Sequence, residues 1–109
     1  MALRDALLQM SSDDALALIK RRRLQILVHS AIYYRFNDSI ISDHTYDAWS
    51  KELAELQKQY PKEAAQAPYA EAFAEFDGST GYDLPTSEPW VVNKAQQLLA
   101  YHKKLGGNS

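Results

Sequence analysis

The sequence predicts an all-α protein, a small helical bundle built on an antiparallel helical hairpin. Two observations carry that prediction. Apolar residues recur every three or four positions over most of the chain, as they do along one face of an α-helix. No segment sustains the apolar–polar alternation of a half-buried strand between turn signals. The length, 109 residues, favours one domain spanning residues 1–109. A chain of this size can bury roughly two-thirds of the surface its unfolded form exposes.

Taken in order, residues 3–10 suit a short helix with Leu3, Leu7 and Leu8 apolar, broken by Ser11 and Ser12. Ser12 or Asp13 can cap a second helix by accepting bonds from free N–H groups. That helix should run from about Asp14 to Phe36, a span without Gly or Pro. Leu16, Ile19, Arg23, Ile26, Ser30 and Tyr33 return to similar angles along it. Asn37-Asp38-Ser39 is turn chemistry. Ser42 or Asp43 then caps a third helix, from about His44 to Tyr60, with Trp49, Leu53 and Leu56 as its apolar stripe. Pro61 should end it. A weaker helix is expected from Ala67 to Phe76, then a loop through Asp77-Gly78-Ser79-Thr80-Gly81 to Pro85. The last helix follows Ser87 as N-cap, with Glu88 and Pro89 in its first turn and Gly106 as its C-terminal stop. Val91, Val92, Ala95, Leu98, Leu99 and His102 lie along it.

Composition excludes several classes of function. There is no cysteine, which removes disulfides, thiolate catalysis and cysteine zinc sites. The formal charge of −2 offers no global positive field to draw in nucleic acid. No apolar run approaches the roughly 20 residues of a membrane span, and the N-terminus lacks the layout of a signal peptide. A cytoplasmic protein is the expectation. His29, His44 and His102 show no short ligand spacing, so no metal is expected.

The richest stretch is His29 to Asp47, HSAIYYRFNDSIISDHTYD. His29 and Tyr33 are four apart and share a helix face, with Arg22 two turns earlier on nearly the same line. Tyr34 points about 100° away. Asp43, Tyr46 and Asp47 have the spacing of one face at a helix start. If the two helices pack as a hairpin, these faces meet near the connecting turn. Tyrosine can stack on a flat ring, and aspartate can accept bonds from ribose hydroxyls or a carboxamide; a cationic ring gains from both. The plainer alternative makes Tyr33 and Tyr46 core residues and Asp43 an N-cap. In the run Lys20-Arg21-Arg22-Arg23, Arg22 or Arg23 can hold a pyrophosphate through a forked contact, or the run is a solvated face. Asp77 to Gly81 reads as a connecting loop rather than a phosphate loop. Tyr101 reads as a core residue.

At these residues the sequence resembles the N-terminal Ia domain of NAD-dependent DNA ligases. HSAIYYRFNDSIISDHTYDAW and ELAELQKQYP follow that family's pattern, H-N-x-x-Y-Y-x-x-D-x-P-x-I-S-D-x-E-Y-D-x-L and E-L-x-x-L-x-x-x-Y-P, without a gap, over residues 16–61. The resemblance implies that Tyr33 and Tyr34 contact the nicotinamide nucleotide, that Asp43, Tyr46 and Asp47 complete the pocket, and that His29 is the motif's leading histidine. The departures matter equally. Asn37-Asp38-Ser39 replaces the Asp-x-Pro turn. No Lys-x-Asp-Gly occurs, and Glu75-Phe76-Asp77-Gly78 has glutamate where the AMP-accepting lysine must stand. The tail resembles small stand-alone ligase-related proteins of bacteriophages and prophages.

The expected function is therefore non-catalytic binding of NAD or an NAD-derived nucleotide, as ligand rather than cofactor. In a phage setting, within the host cytoplasm, such a binder can act as a sponge for a cyclic ADP-ribose-type immune signal. The alternatives are an accessory subunit supplying the Ia function to a separate ligase and, third, a small NAD-related hydrolase. A homo-oligomer is a natural partner, because a hairpin covers one side of a nucleotide.

Overall fold

The computed structural model describes residues 10–78 and 84–105. Among these residues there are four helices, α1 (Ser12–Arg35), α2 (Asp43–Gln59), α3 (Pro61–Gln66) and α4 (Pro89–Leu105), and no strand. The expected bundle on a helical hairpin is present. The expected first helix at residues 3–10, most of the loop after Gly78 and the Gly106 stop lie outside the described residues.

α1 is the central element and packs against each of the other three helices. Its sequence explains why. Ile26-Leu27-Val28 and Ala31-Ile32 are consecutive apolar residues, so no single stripe can hold them, and all are buried. Leu53 and Leu56 of α2, Val91 and Ala95 of α4, and Phe73 from the connecting segment close the core around them. Trp49 is half-buried against it, as the α2 stripe requires.

The caps differ from expectation in detail. Ser11, not Ser12 or Asp13, caps α1, its side chain accepting from the Asp14 N–H. Ser42 caps α2 and accepts from the Thr45 N–H at 3.0 Å. The Val92 N–H bonds the Glu88 carbonyl at 3.0 Å, which makes Glu88 rather than Ser87 the residue at the start of α4, with Pro89 first inside. Pro61 both follows the end of α2 and opens α3. A ring without an N–H is no loss at a first helical position, whose N–H has no intrahelical partner.

The expected helix from Ala67 to Phe76 is absent; residues 68–75 form turns. Tyr69 takes a positive φ of 65°, which an α-helix does not admit. Tyr69 is instead held by its hydroxyl, which donates to Glu88 at 2.7 Å and accepts from the Trp90 indole N–H. That ties the connecting segment to α4.

Arg23 organises the other side of this segment. It is 1% exposed. Its guanidinium donates to the carbonyls of Ala64, Ala67 and Pro68 at 2.9, 3.1 and 3.0 Å, and to the Gln57 side chain at 2.9 Å. Gln57 in turn donates to the Phe73 carbonyl. Carbonyls left unpaired at the end of α3 are met by a fixed cation, which suits the negative end of a helix. Burial without a carboxylate partner pushes the Arg23 pKa down.

Candidate functional site

The turn between α1 and α2 begins where α1 stops. Asn37 adopts a left-handed φ of 51°, which asparagine tolerates better than most residues. Ile40 and Ile41 then precede the Ser42 cap and are half-buried. An apolar residue just before an N-cap fixes the angle at which the chain enters a helix. The result is a pocket in the crook of the hairpin. Its walls are Tyr33 and Tyr34 from α1, Ile40 and Ile41 from the turn, and Asp43 and Tyr46 from α2. His29, Ile32 and Ser39 complete the lining.

The enclosed volume is about 80 Å³. A cavity holding a benzene ring needs roughly 150 Å³, so this one receives part of a flat ring and leaves the remainder at the mouth. The mouth is aromatic. Tyr33 is 56% exposed and Tyr34 40%, with their rings edge to face at 4.8 Å between centroids. The floor is Tyr46, whose hydroxyl bonds the buried Ser30 hydroxyl at 2.7 Å. Burial raises the Tyr46 pKa. The Ser30 bond opposes this, and so does Ser50, whose hydroxyl lies near without completing a hydrogen bond of its own.

His29 stands at the side of the pocket. Its ring tilts against Trp49 at 5.6 Å. Burial depresses its pKa, so the neutral imidazole is favoured, and its Nδ1 is buried without a hydrogen-bond partner.

Asp47 and the two arginines expected at the site lie elsewhere. Asp47 pairs with Lys51 at 3.0 Å on an exposed face. It lines a second, open concavity with Asp43, His44, Tyr46 and Gly78, which shares a rim with the first. Arg22 donates to Glu52 at 2.5 Å and to Gln25 at 2.6 Å, and its guanidinium lies 5.4 Å from the centre of the Trp49 ring. Trp49 thus separates Arg22 from His29. Arg23 is the buried anchor described above and faces a different part of the molecule. Its position on the stripe with Ile19 and Ile26 marks it as inward-facing, a signal that reading the basic run as a surface overlooks. Tyr101, expected in the core, is 59% exposed.

Sequence reasoning missed the turn isoleucines, Ser30 and Gly78. Ile40-Ile41, two apolar residues in an otherwise polar turn, was the available signal. Gly78 has a φ of 88°, and a Cβ there would meet the Ser50 carbonyl oxygen at 3.1 Å. Only a glycine lets this segment lie so close to α2.

A model of the DNA ligase-like, N-terminal NAD+-binding domain matches residues 12–67. That is half of the chain. The chain belongs to this family. The match covers α1, α2 and α3, and every residue lining the tyrosine pocket falls inside it. Comparison with curated proteins and with solved structures returns no match. No described helix is long and apolar enough to cross a membrane.

Proposed function

We propose that this chain binds the nicotinamide–ribose end of NAD, or of an NAD-derived nucleotide, and holds it without chemical turnover. One observation carries the reading: in a member of an NAD+-binding family, the crook of the hairpin presents exposed tyrosine faces over a mainly apolar pocket with a few polar groups. A nicotinamide ring stacks on Tyr33 or Tyr34, which is worth about 0.5–1.5 kcal/mol beyond area burial for an aromatic pair. Asp43 accepts from a ribose hydroxyl or the carboxamide, and the unpaired His29 Nδ1 gains a partner. The lysine that attacks the nucleotide in a ligase has no counterpart among these 109 residues, so they can capture a nucleotide but not take its AMP.

Calorimetry with NAD, nicotinamide mononucleotide, ADP-ribose and its cyclic isomers tests this. Saturable binding of the mononucleotide that weakens at least about tenfold on Tyr33→Ala is expected. No binding of any member at millimolar concentration ends the proposal.

The exposure of Tyr33 and Tyr34 favours a role in which a second surface covers the ligand, as in an accessory subunit of a separate ligase. The same titration ranks the settings. An accessory subunit prefers the mononucleotide. A phage sponge for a cyclic ADP-ribose-type signal, a ligand without nicotinamide, is a separate reading, and preference for the cyclic isomers would replace the nicotinamide reading with it.

A further inference from the structure

The tyrosine pocket is one-sided in charge. Three tyrosine rings, the His29 imidazole and one carboxylate, Asp43, face it, and no lysine or arginine is among its described lining residues. Arg35, the cation nearest in sequence, donates to the Thr86 hydroxyl at 2.9 Å, and the next ones are committed elsewhere: Arg22 to Glu52 and the Trp49 face, Arg23 to main-chain carbonyls, Lys51 to Asp47. His29 is half-buried beside Trp49 and held toward its neutral form. Ring faces are the negative side of an aromatic quadrupole, and a carboxylate adds to them. Such a box attracts a flat cation and has no lysine or arginine among its described lining residues to meet an anion.

Building on the nicotinamide reading above, we propose that the pocket recognises the positive charge of an oxidised pyridinium nucleoside and requires no phosphate on the ligand. A reduced dihydropyridine ring carries the same carboxamide and ribose without the charge, and so loses the attraction of both the tyrosine faces and Asp43. A phosphate on the ribose brings negative charge that no described lining cation meets.

Calorimetry on the full chain at neutral pH, with nicotinamide riboside, its reduced form, nicotinamide mononucleotide and ADP-ribose, tests this. Expected is binding of the oxidised riboside within a few-fold of the mononucleotide, with the reduced riboside at least about tenfold weaker. Asp43→Asn should narrow the oxidised-to-reduced ratio. Equal binding of the reduced riboside, or a mononucleotide more than about tenfold tighter than the riboside, overturns this inference and leaves the nicotinamide reading standing. Failure of both riboside and mononucleotide to bind, whether or not ADP-ribose binds, overturns that reading as well.

Discussion

The Arg23 region and the tyrosine pocket both draw on α1 and α2 and treat their polar groups in opposite ways. At Arg23 a cation is buried to 1% exposure, and its guanidinium donates four hydrogen bonds at 2.9–3.1 Å. At the pocket His29 Nδ1, and behind its Tyr46 floor the Ser50 hydroxyl, are buried without partners, while the Tyr33 and Tyr34 rings are 56% and 40% exposed. A satisfied polar network rigidifies a fold, whereas unpaired groups beside exposed aromatic surface add no such rigidity. On the proposed function, the first region serves folding and the second binding.

Removing Arg23 should show the largest effect. Arg23→Ala strands carbonyls at the end of α3 and opens a cavity, and should cost at least about 3 kcal/mol. The midpoint of urea unfolding measures it. A loss of nucleotide affinity with no loss of stability would erase the distinction. Gly78→Ala should come next, at about 1–3 kcal/mol, because alanine is strained at a φ of 88° and its Cβ meets backbone of α2.

Ser30→Ala sharpens the comparison from within the pocket. It leaves the half-buried Tyr46 hydroxyl without its 2.7 Å partner and should cost about 1–2 kcal/mol. Nucleotide affinity should fall further than stability alone accounts for, since the pocket floor loses its tether; equal affinity in the folded variant contradicts that role. Tyr33→Ala should do the reverse of Arg23→Ala. With the ring 56% exposed, stability should stay within about 0.5 kcal/mol while binding weakens.

The smallest effect is one of pH. Burial lowers the His29 pKa in the folded state, so between that value and the ordinary 6.5 the unfolded chain binds more protons. Stability should therefore fall as pH drops below about 6.5, and His29→Gln should flatten that slope. Unfolding midpoints at pH 7 and pH 5 measure it; an unchanged slope in the variant refutes the assignment to His29.

Much of this was legible in the sequence, for identifiable reasons. The long α1 and α2 followed from apolar spacing and from Ser42, a strong cap. The pocket residues His29, Tyr33, Tyr34, Asp43 and Tyr46 came together because spacing of four places them on facing surfaces beside one turn. The failures were of two kinds. Pro61 was read as a stop when it is also a start, and Tyr69 left the helical region for a hydroxyl partner on α4 that is distant in sequence. Arg22 and Arg23 were read by charge when their burial is set by register. Arg23 falls on the inward stripe, and Arg22 reaches Glu52 on the neighbouring helix. Tertiary partners of that kind are invisible to local pattern.

The central claim is that the nucleotide sits in the crook of the hairpin. Amide chemical-shift mapping during titration with nicotinamide mononucleotide tests it most directly. The account predicts shifts concentrated at residues 29–34 and 39–46, with residues 57–74 around Arg23 unmoved. Shifts centred on the Arg23 region, or none at saturating ligand, would contradict it.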